Sequence, residues 1–410
     1  MKKHVHEQVS MNEAPPVVKA GRVLCVDPVL DPARPTAQSL FVALPGLLAQ
    51  GWEVEVWCLH HAPLDPRIKV RRLPAAPWLR LLEPLWFWLV AWFLVTAERL
   101  RGPGWDIVHT TGPDMPGADV MSLHFHNRTW LRLQWQDPGA SWRDRLRLLH
   151  TLIGVTQETI ALASAGWRVL LPVSEGLAGR VRPLLRPGKE IRVLANVLDV
   201  QRFHPGVRAV HRDQTRTELK ASAQDYVFVF VSTGHYQRKG LWPAVTAIKA
   251  CRADILESTG LSVRMLVVGA GDKALGRLVP RLEREFPGWR EWLDFRPPTS
   301  CVERWYAGAD AFLFPSRYET FSLVALEASA CGLPLLITPY DGHEMYLKAG
   351  ANGCLLAWDQ GEMQQQLRQY MTHQRLNMRP GPAAFVDAEA YARSLDETYR
   401  SVMAGRKAVS

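Results

Sequence analysis

Residues 311–334 run AFLFPSRYETFSLVALEASACGLP, and the fold of the chain turns on how this stretch is interpreted. Ala311–Phe314 is an apolar run that reads as a buried strand and stops at Pro315-Ser316. A short polar turn leads to Glu319. Glu327 follows after seven intervening residues, and then come Ala328, Ser329, Ala330 and the stop Gly332-Leu333-Pro334. The intervening order Thr, Phe, Ser, Leu, Val, Ala, Leu puts Glu327 inside an otherwise apolar helix. A carboxylate there requires a partner, because burying an unpaired charge is costly. Glu319 is expected at the helix entrance, beside backbone N–H groups that lack an intrahelical acceptor and favour an anion. A phosphate at the helix start and hydroxyls at the carboxylates would fill such a site, and a sugar nucleotide carries both. A favourable first-turn charge at Glu319 and a structural ion pair at Glu327 would produce the same spacing.

Length and composition frame that site. A chain of 410 residues is too long for one ordinary core and implies two to three domains. Hydrophobic content of 47% and charged content of 22% belong to a soluble globular protein. Cys25, Cys58, Cys251, Cys301, Cys331 and Cys354 are scattered, without a C-x-x-C pair or metal-ligand spacing. They read as reduced thiols of a cytoplasmic protein, and no metal site is expected. The first residues, MKKHVHEQVSMNEAPPVVK, contain no apolar signal-peptide core, so residues 1–20 read as a disordered lead-in. The formal net charge is +9, with the basic excess concentrated between Arg67 and Arg192. Such a patch suits an anionic acceptor or an anionic membrane surface. Nucleic acid ranks last, since no zinc-finger or RNA-binding motif is present.

Along the chain, strands and helices alternate twice. Arg22–Asp27, a helix over about 36–50 with Pro45 inside it, and Glu53–Leu59 form a β-α-β opening of a parallel sheet. Asp106–Gly112, Asp119–Phe125, Arg168–Ser174 and Ile191–Asn196 read as its further strands. A linker then runs to about Ala221. The second series comprises a strand over Tyr226–Thr233, a loop over Gly234–Gly240, a helix over Leu241–Leu256 and a strand opening Val263–Gly271. Trp292–Pro298 leads through a helix around Cys301–Gly308 to the opening stretch, and Pro334–Thr338 and Gly353–Trp358 are the last strands. Gly269-x-Gly271 hints at dinucleotide binding, but Ala274 stands where a third glycine belongs, which argues against NAD. Tyr391, Leu395, Tyr399 and Val402 recur at helical spacing near the end. The two alternating halves imply twin Rossmann-like domains facing across a cleft, where ligands collect at the C-terminal strand edges.

Two segments suggest surfaces. Trp78–Leu100 contains Trp86, Phe87, Trp88, Trp92 and Phe93, but its uncharged run, Leu85–Ala97, falls short of the roughly 18 to 20 residues of a spanning helix. It reads either as a core or domain-edge helix or as an interfacial helix with tryptophans at headgroup level. Arg128, Arg132, Arg143, Arg145 and Arg147 interleave with Trp130, Trp135 and Trp142. That pattern fits a solvated helix face, a phosphorylated or lipid-linked acceptor, or a membrane surface.

Glu319-x7-Glu327 with Ala328 and the Gly332-Leu333-Pro334 stop resembles the E-x7-E signature of the retaining GT-B glycosyltransferases of family 4. Phe321 matches their E-x-F, while Thr320 and Ser322 stand in place of the glycines of E-G-F-G. Arg238-Lys239-Gly240 resembles the basic pair in the contiguous form of lipopolysaccharide core glucosyltransferases. Asn196-Val197-Leu198-Asp199 with Phe203-His204-Pro205 resembles the interdomain N-G-V-D…F-x-P segment, and Pro339–Glu344 the G-G…E loop. The first loop, Asp31–Ala37, lacks the glycine pair usual there. The resemblance implies an α/β GT-B fold, with an acceptor-side domain at 21–205, a nucleotide-sugar domain at 206–385, and a C-terminal helix at 386–410 crossing back to the first domain. It implies a nucleotide-sugar donor, a UDP-sugar first among candidates, and no cofactor or metal. It further implies retention and a bacterial glycan or lipid-linked acceptor in cell-surface polysaccharide biosynthesis, and with the two aromatic segments the expected location is the cytoplasm or, peripherally, the inner face of the cytoplasmic membrane.

By the same resemblance, His124 would position the reacting sugar and phosphate, with His126 as the nearby substitute. Arg238 and Lys239 would hold the diphosphate, Glu319 the transferred sugar and Glu327 the ribose. Gly234, Pro298, Ser322 and Leu323 would complete the donor site, with the base against Arg296–Pro298. A sugar-nucleotide epimerase on the same scaffold and a non-catalytic glycan-assembly partner remain the alternatives.

Overall fold

The computed structural model describes residues 19–76, 82–102, 104–135, 142–378, 381–382 and 384–407. The expected lead-in falls outside the described residues up to residue 18, as do Trp78 and Arg80 and the side chains of Trp142, Arg143, Arg145 and Arg147.

The first half contains β1 (Gly21–Val26), β2 (Val29–Leu30), α1 (Gln38–Ala49), β3 (Trp52–Cys58), β4 (His60–His61), β5 (Lys69–Arg72) and α2 (Glu83–Arg101). It continues with β6 (Ile107–Thr110), β7 (Val120–Leu123), α3 (Asn127–Trp135), α4 (Trp142–Ala163), β8 (Val169–Pro172), α5 (Glu175–Val181) and β9 (Glu190–Ile191). Seven strands pair in the order β5-β3-β1-β6-β7-β8-β9, every ladder parallel, and β2 with β4 forms a small separate pair. The central strands are buried on both faces, as their near-continuous Val, Ile and Leu content requires.

The second half contains α6 (Val207–Glu218), β10 (Asp225–Val231), α7 (Leu241–Thr259), β11 (Ser262–Val268), α8 (Asp272–Glu285), β12 (Leu293–Arg296), α9 (Glu303–Gly308) and β13 (Ala311–Phe314). It ends with α10 (Leu323–Ala330), β14 (Leu335–Ile337), β15 (Gly353–Leu355), α11 (Gln360–Gln369) and α12 (Ala388–Lys407). Its parallel sheet runs β12-β11-β10-β13-β14-β15. β13 takes up the apolar run Ala311–Phe314 residue for residue and pairs with β10 and β14. Two parallel α/β sheets in two domains therefore form the molecule. α12 packs on α1: Tyr391, Leu395, Tyr399 and Val402 are buried in one cluster with Leu40 of α1 and with Val23 and Val56 of the first sheet.

Three sequence expectations change. The strand expected over Ile191–Asn196 pairs in the sheet only at Glu190–Ile191, although Arg192 and Leu194 still donate to the carbonyls of Leu170 and Pro172. The linker expected before Ala221 is largely helix α6. Its Arg212 and Arg216 lie one turn apart and bind Asp310 at 2.5 and 3.1 Å, so a polar stretch is held by a carboxylate far along the chain. Finally, α10 begins at Leu323, and its N-cap Ser322 is extended (φ −95°, ψ 100°). Glu319 thus lies ahead of the N-cap in irregular chain, not at the helix entrance.

Candidate active site

Arg238 and Lys239 sit in the loop between β10 and α7, which must bend sharply to bring them over the sheet edge. Gly240 makes the bend at φ +83°, and a Cβ there would lie 2.0 Å from the Pro315 carbonyl oxygen. No other residue type fits that approach. The Arg238 guanidinium donates to the Tyr318 carbonyl at 3.1 Å and lies 3.9 Å from Glu319 Oε1. The Ser316 hydroxyl is 3.3 Å from the same carboxylate oxygen. Burial pulls the Lys239 ammonium below its ordinary range, and the neighbouring Glu319 and Glu327 partly restore it. Two cations and two carboxylates therefore share one electrostatic environment.

Glu327 sits in the second turn of α10. Tyr306 of α9 places its hydroxyl 3.2 Å from Glu327 Oε2, a partner that the sequence did not reveal. Burial pushes the Glu327 carboxyl up to about 7, against the opposing pull of Arg202 and the Tyr306 bond. Arg202 in turn is held by Glu303 at 2.7 Å. Ser322 is buried at the N-cap of this helix and Leu323 occupies its first turn, half-buried.

His124 follows β7 at the C-terminal edge of the first sheet and is buried. Burial lowers its pKa to about 4, with Asn196 opposing, so its imidazole is neutral at physiological pH. The structure brings it to the glutamate segment: the Thr320 hydroxyl donates to the His124 carbonyl at 2.5 Å. His126 is occupied otherwise. Its ring lies 2.7 Å from the Thr129 hydroxyl and 3.4 Å from Glu158, which anchors it between α3 and α4. Sequence reasoning also missed Tyr318, whose hydroxyl donates to the His126 carbonyl at 3.0 Å. The Thr320-for-glycine departure was the one signal of these contacts.

A cavity of about 1120 Å³ opens beside this cluster, between α3–α4 and the loops after β10 and β11. Gly234, Arg238 and Pro298 line it, together with Trp130, Lys273 and Arg277. His124, Lys239, Glu319 and Glu327 are outside its lining. Gly269, at φ +104°, lets this wall approach: a Cβ would lie 2.4 Å from the Ser232 carbonyl oxygen. Among the described residues no group of three or more His, Cys, Asp or Glu side chains could hold a metal ion.

Residues 225–373 match the family described as "Glycosyl transferases group 1". The matched span takes in the second parallel sheet, from β10 to β15, and carries Arg238, Lys239, Glu319 and Glu327. Over 350 residues the chain is 27% identical to the D-inositol 3-phosphate glycosyltransferase of Frankia alni, covering 76% of this chain and 79% of that one. Among solved structures, WaaG, a glycosyltransferase involved in lipopolysaccharide biosynthesis, superposes with a TM-score of 0.67 at 17% identity, covering 93% of this chain and 100% of that one. Anabaena Alr3699/HepE in complex with UDP-glucose superposes with a TM-score of 0.57 at 16% identity, over 95% of this chain and 100% of that one. At such identities the likeness is one of fold. The two domains together have the GT-B architecture.

Proposed function

We propose that this glycosyltransferase moves a sugar from a nucleotide donor, a UDP-sugar first among candidates, with retention of anomeric configuration. The acceptor is a bacterial glycan or lipid-linked glycan of cell-surface polysaccharide biosynthesis. The observation that carries the reading is the meeting of Arg238 and Lys239 with Glu319, under the strand end that bears His124. When the bond between the anomeric carbon and the diphosphate breaks, negative charge develops on the departing phosphate oxygen. Fixed cations aimed at that oxygen stabilise the transition state more than the ground state. Arg238 and Lys239 would perform that task and stand in for a divalent ion. Glu319 orients the transferred sugar through its hydroxyls, and Glu327 binds the ribose hydroxyls. A neutral His124 would donate or accept a hydrogen bond at the sugar. The resemblance to enzymes solved with UDP-glucose supports the donor class.

A thermal-shift panel of UDP-, GDP- and ADP-sugars tests the proposal, followed by nucleotide release in the presence of lipid-linked glycan acceptors. A melting shift with one nucleotide class and acceptor-dependent release are expected. No shift with any of them would overturn the reading. Epimer formation from donor alone would instead favour an isomerase.

An association with the inner face of the cytoplasmic membrane belongs to the same proposal. On α2, Phe87 and Trp88 point into the core while Trp92 is 43% and Phe93 67% exposed. Leu149 and Leu152 of α4 are exposed as well, and Gln157 of α4 donates to the Pro84 carbonyl at the start of α2. Aromatic side chains next to the basic region of the chain suit an anionic lipid surface. No helix among the described residues is long and apolar enough to cross a membrane. Co-sedimentation with phosphatidylglycerol vesicles at low salt is expected, and its absence would remove the membrane from the proposal.

A further inference from the structure

Tyr318, Glu319 and Thr320 lie in the irregular segment between β13 and α10. Glu319 turns toward Arg238 and Ser316. Its two neighbours turn the other way and cross the cleft. The Thr320 hydroxyl donates to the His124 carbonyl at 2.5 Å, and the Thr320 carbonyl accepts from the Ser174 hydroxyl at 2.8 Å. The Tyr318 hydroxyl donates to the His126 carbonyl at 3.0 Å and lies 3.1 Å from the His126 backbone nitrogen, whose N–H it accepts. The Tyr318 ring packs edge-on against Phe125 and stacks on Trp130, which also lies beneath the Arg238 guanidinium.

All four hydrogen bonds are buried, so water does not compete for their partners. Three of them bind the residues flanking Glu319 to the segment from His124 to His126 and the fourth binds Thr320 to Ser174, which together hold the second domain against the first at the reacting centre. A glycine at position 320, as in E-G-F-G, could not make the Thr320 contact.

We infer that Tyr318 and Thr320 are positioning residues that clamp the His124 end of β7 over the Glu319 segment, setting turnover and not nucleotide affinity. The inference rests on the proposed glycosyl transfer only for its kinetic readout. The nucleotide contacts proposed above lie in the second domain alone, so UDP binds whether the clamp is shut or open. Transfer requires His124 and Glu319 on the same sugar, so only the shut population turns over.

The test uses the full chain and the variants Thr320→Val, Thr320→Ser, Tyr318→Phe and the pair Thr320→Val/Tyr318→Phe. UDP affinity is measured by calorimetry, UDP release from UDP-glucose gives kcat and KM, and small-angle scattering of the unliganded protein gives its radius of gyration. Thr320→Val and Tyr318→Phe should each lower kcat about two- to tenfold, the factor that one net hydrogen bond carries. UDP affinity should be unchanged, and Thr320→Ser should restore kcat. The double variant should have a larger radius than the parent. Unchanged kcat and radius, a parallel fall in UDP affinity, or failure of Thr320→Ser to rescue would each overturn the inference. If the parent releases no UDP from UDP-glucose, the functional reading suffers and scattering alone decides the clamp. If Thr320→Val does not fold, Tyr318→Phe, which removes a single oxygen atom, carries the test.

Discussion

The hydroxyl of Tyr306 lies 3.2 Å from Glu327 Oε2 and equally 3.2 Å from the carbonyl oxygen of Val324. A phenol has one proton to give, so an ionised Glu327 and the Val324 carbonyl compete for it. A protonated Glu327 removes the conflict by donating to the phenol oxygen while the phenol donates to Val324. Burial is the reason that the Glu327 carboxyl rises from 4.5 to about 7, and the shared Tyr306 proton opposes that rise only in part.

A raised folded-state pKa means that the native protein holds a proton which the unfolded chain releases. The associated stability is fully present below pH 4.5 and is lost as pH rises through 7. Glu327→Gln keeps a donor at this position at every pH. Relative to that variant, the wild type should lose on the order of 1–3 kcal/mol between these limits and no more above them. Urea unfolding of both proteins at pH 5, 6, 7 and 8 measures the difference, and a constant gap would contradict the assignment.

Lys239→Ala should lower turnover by ~10²–10³ while leaving the fold intact, because a fixed charge is lost where the leaving diphosphate develops its own. The half-buried Lys239 ammonium sits in the field of Glu319 and Glu327, not in bulk solvent. Steady-state nucleotide release is the readout. Turnover within threefold of the parent would show that the diphosphate lies elsewhere.

Gly240 and Gly276 form a matched pair for testing the loop. A Cβ at Gly240 meets the backbone of Pro315 at 2.0 Å and the φ of +83° is adverse, whereas at Gly276 on α8 nothing lies within 4 Å. Gly240→Ala should destabilise by more than about 2 kcal/mol and weaken UDP binding as Arg238 and Lys239 shift. Gly276→Ala should stabilise by about 0.5–1 kcal/mol through helix propensity. Thermal unfolding of the two variants, side by side, separates the local clash from any general effect of adding a methyl group.

The strands were the most legible part of the chain, because a parallel sheet covered on both faces writes itself as short apolar runs such as Ala311–Phe314 and Tyr226–Val231. The spacing of Glu319 and Glu327 and the adjacent pair Arg238-Lys239 were legible for the same local reason. What stayed hidden depends on partners distant in sequence. Helix α6 looks like a polar linker until Asp310 is placed against Arg212 and Arg216. The early helix start expected at Glu319 fails because Thr320 is held in place from both sides. Its carbonyl accepts from Ser174, its hydroxyl donates to His124, and Gly342 packs so closely that a Cβ there would lie 2.6 Å from the Thr320 oxygen. Helix propensity in Thr320–Ser322 cannot compete with those contacts.

His124 should make the protein acid-labile by its own share. Its pKa falls from 6.5 to about 4 because burial disfavours the imidazolium, so the unfolded chain takes up a proton that the native protein refuses. The contribution is fully present above pH 6.5 and is lost as pH falls toward 4. His124→Asn cannot take up this proton. Between pH 7 and 5 it should therefore lose about 2 kcal/mol less stability than the wild type. Chemical denaturation at the two pH values gives the comparison, and equal losses would mean that His124 titrates normally.

Helix α12 comes last in the chain but completes the core of the first domain. Leu395 and Tyr399 are fully buried there, and the Tyr399 hydroxyl lies 2.7 Å from His109 Nδ1. The other ring nitrogen of His109 is engaged by the Ser122 hydroxyl at 2.9 Å, and burial lowers its pKa to about 3, so the ring is neutral with one N–H to donate. The Trp52 indole packs edge-on against Tyr399 and donates to Asp396 at 2.7 Å. Leu395→Ala should cost about 2–5 kcal/mol as a cavity opens between α1, α12 and the sheet. Tyr399→Phe should cost about 1–3 kcal/mol by leaving His109 Nδ1 without its partner in a dry core. Because α12 follows the second domain, both losses should appear as earlier unfolding of the first. A reporter placed beside Trp52 is the local probe, read against a second one placed on β13. If the two signals instead move together, the helix couples the domains into one cooperative unit, and its role extends beyond filling the core.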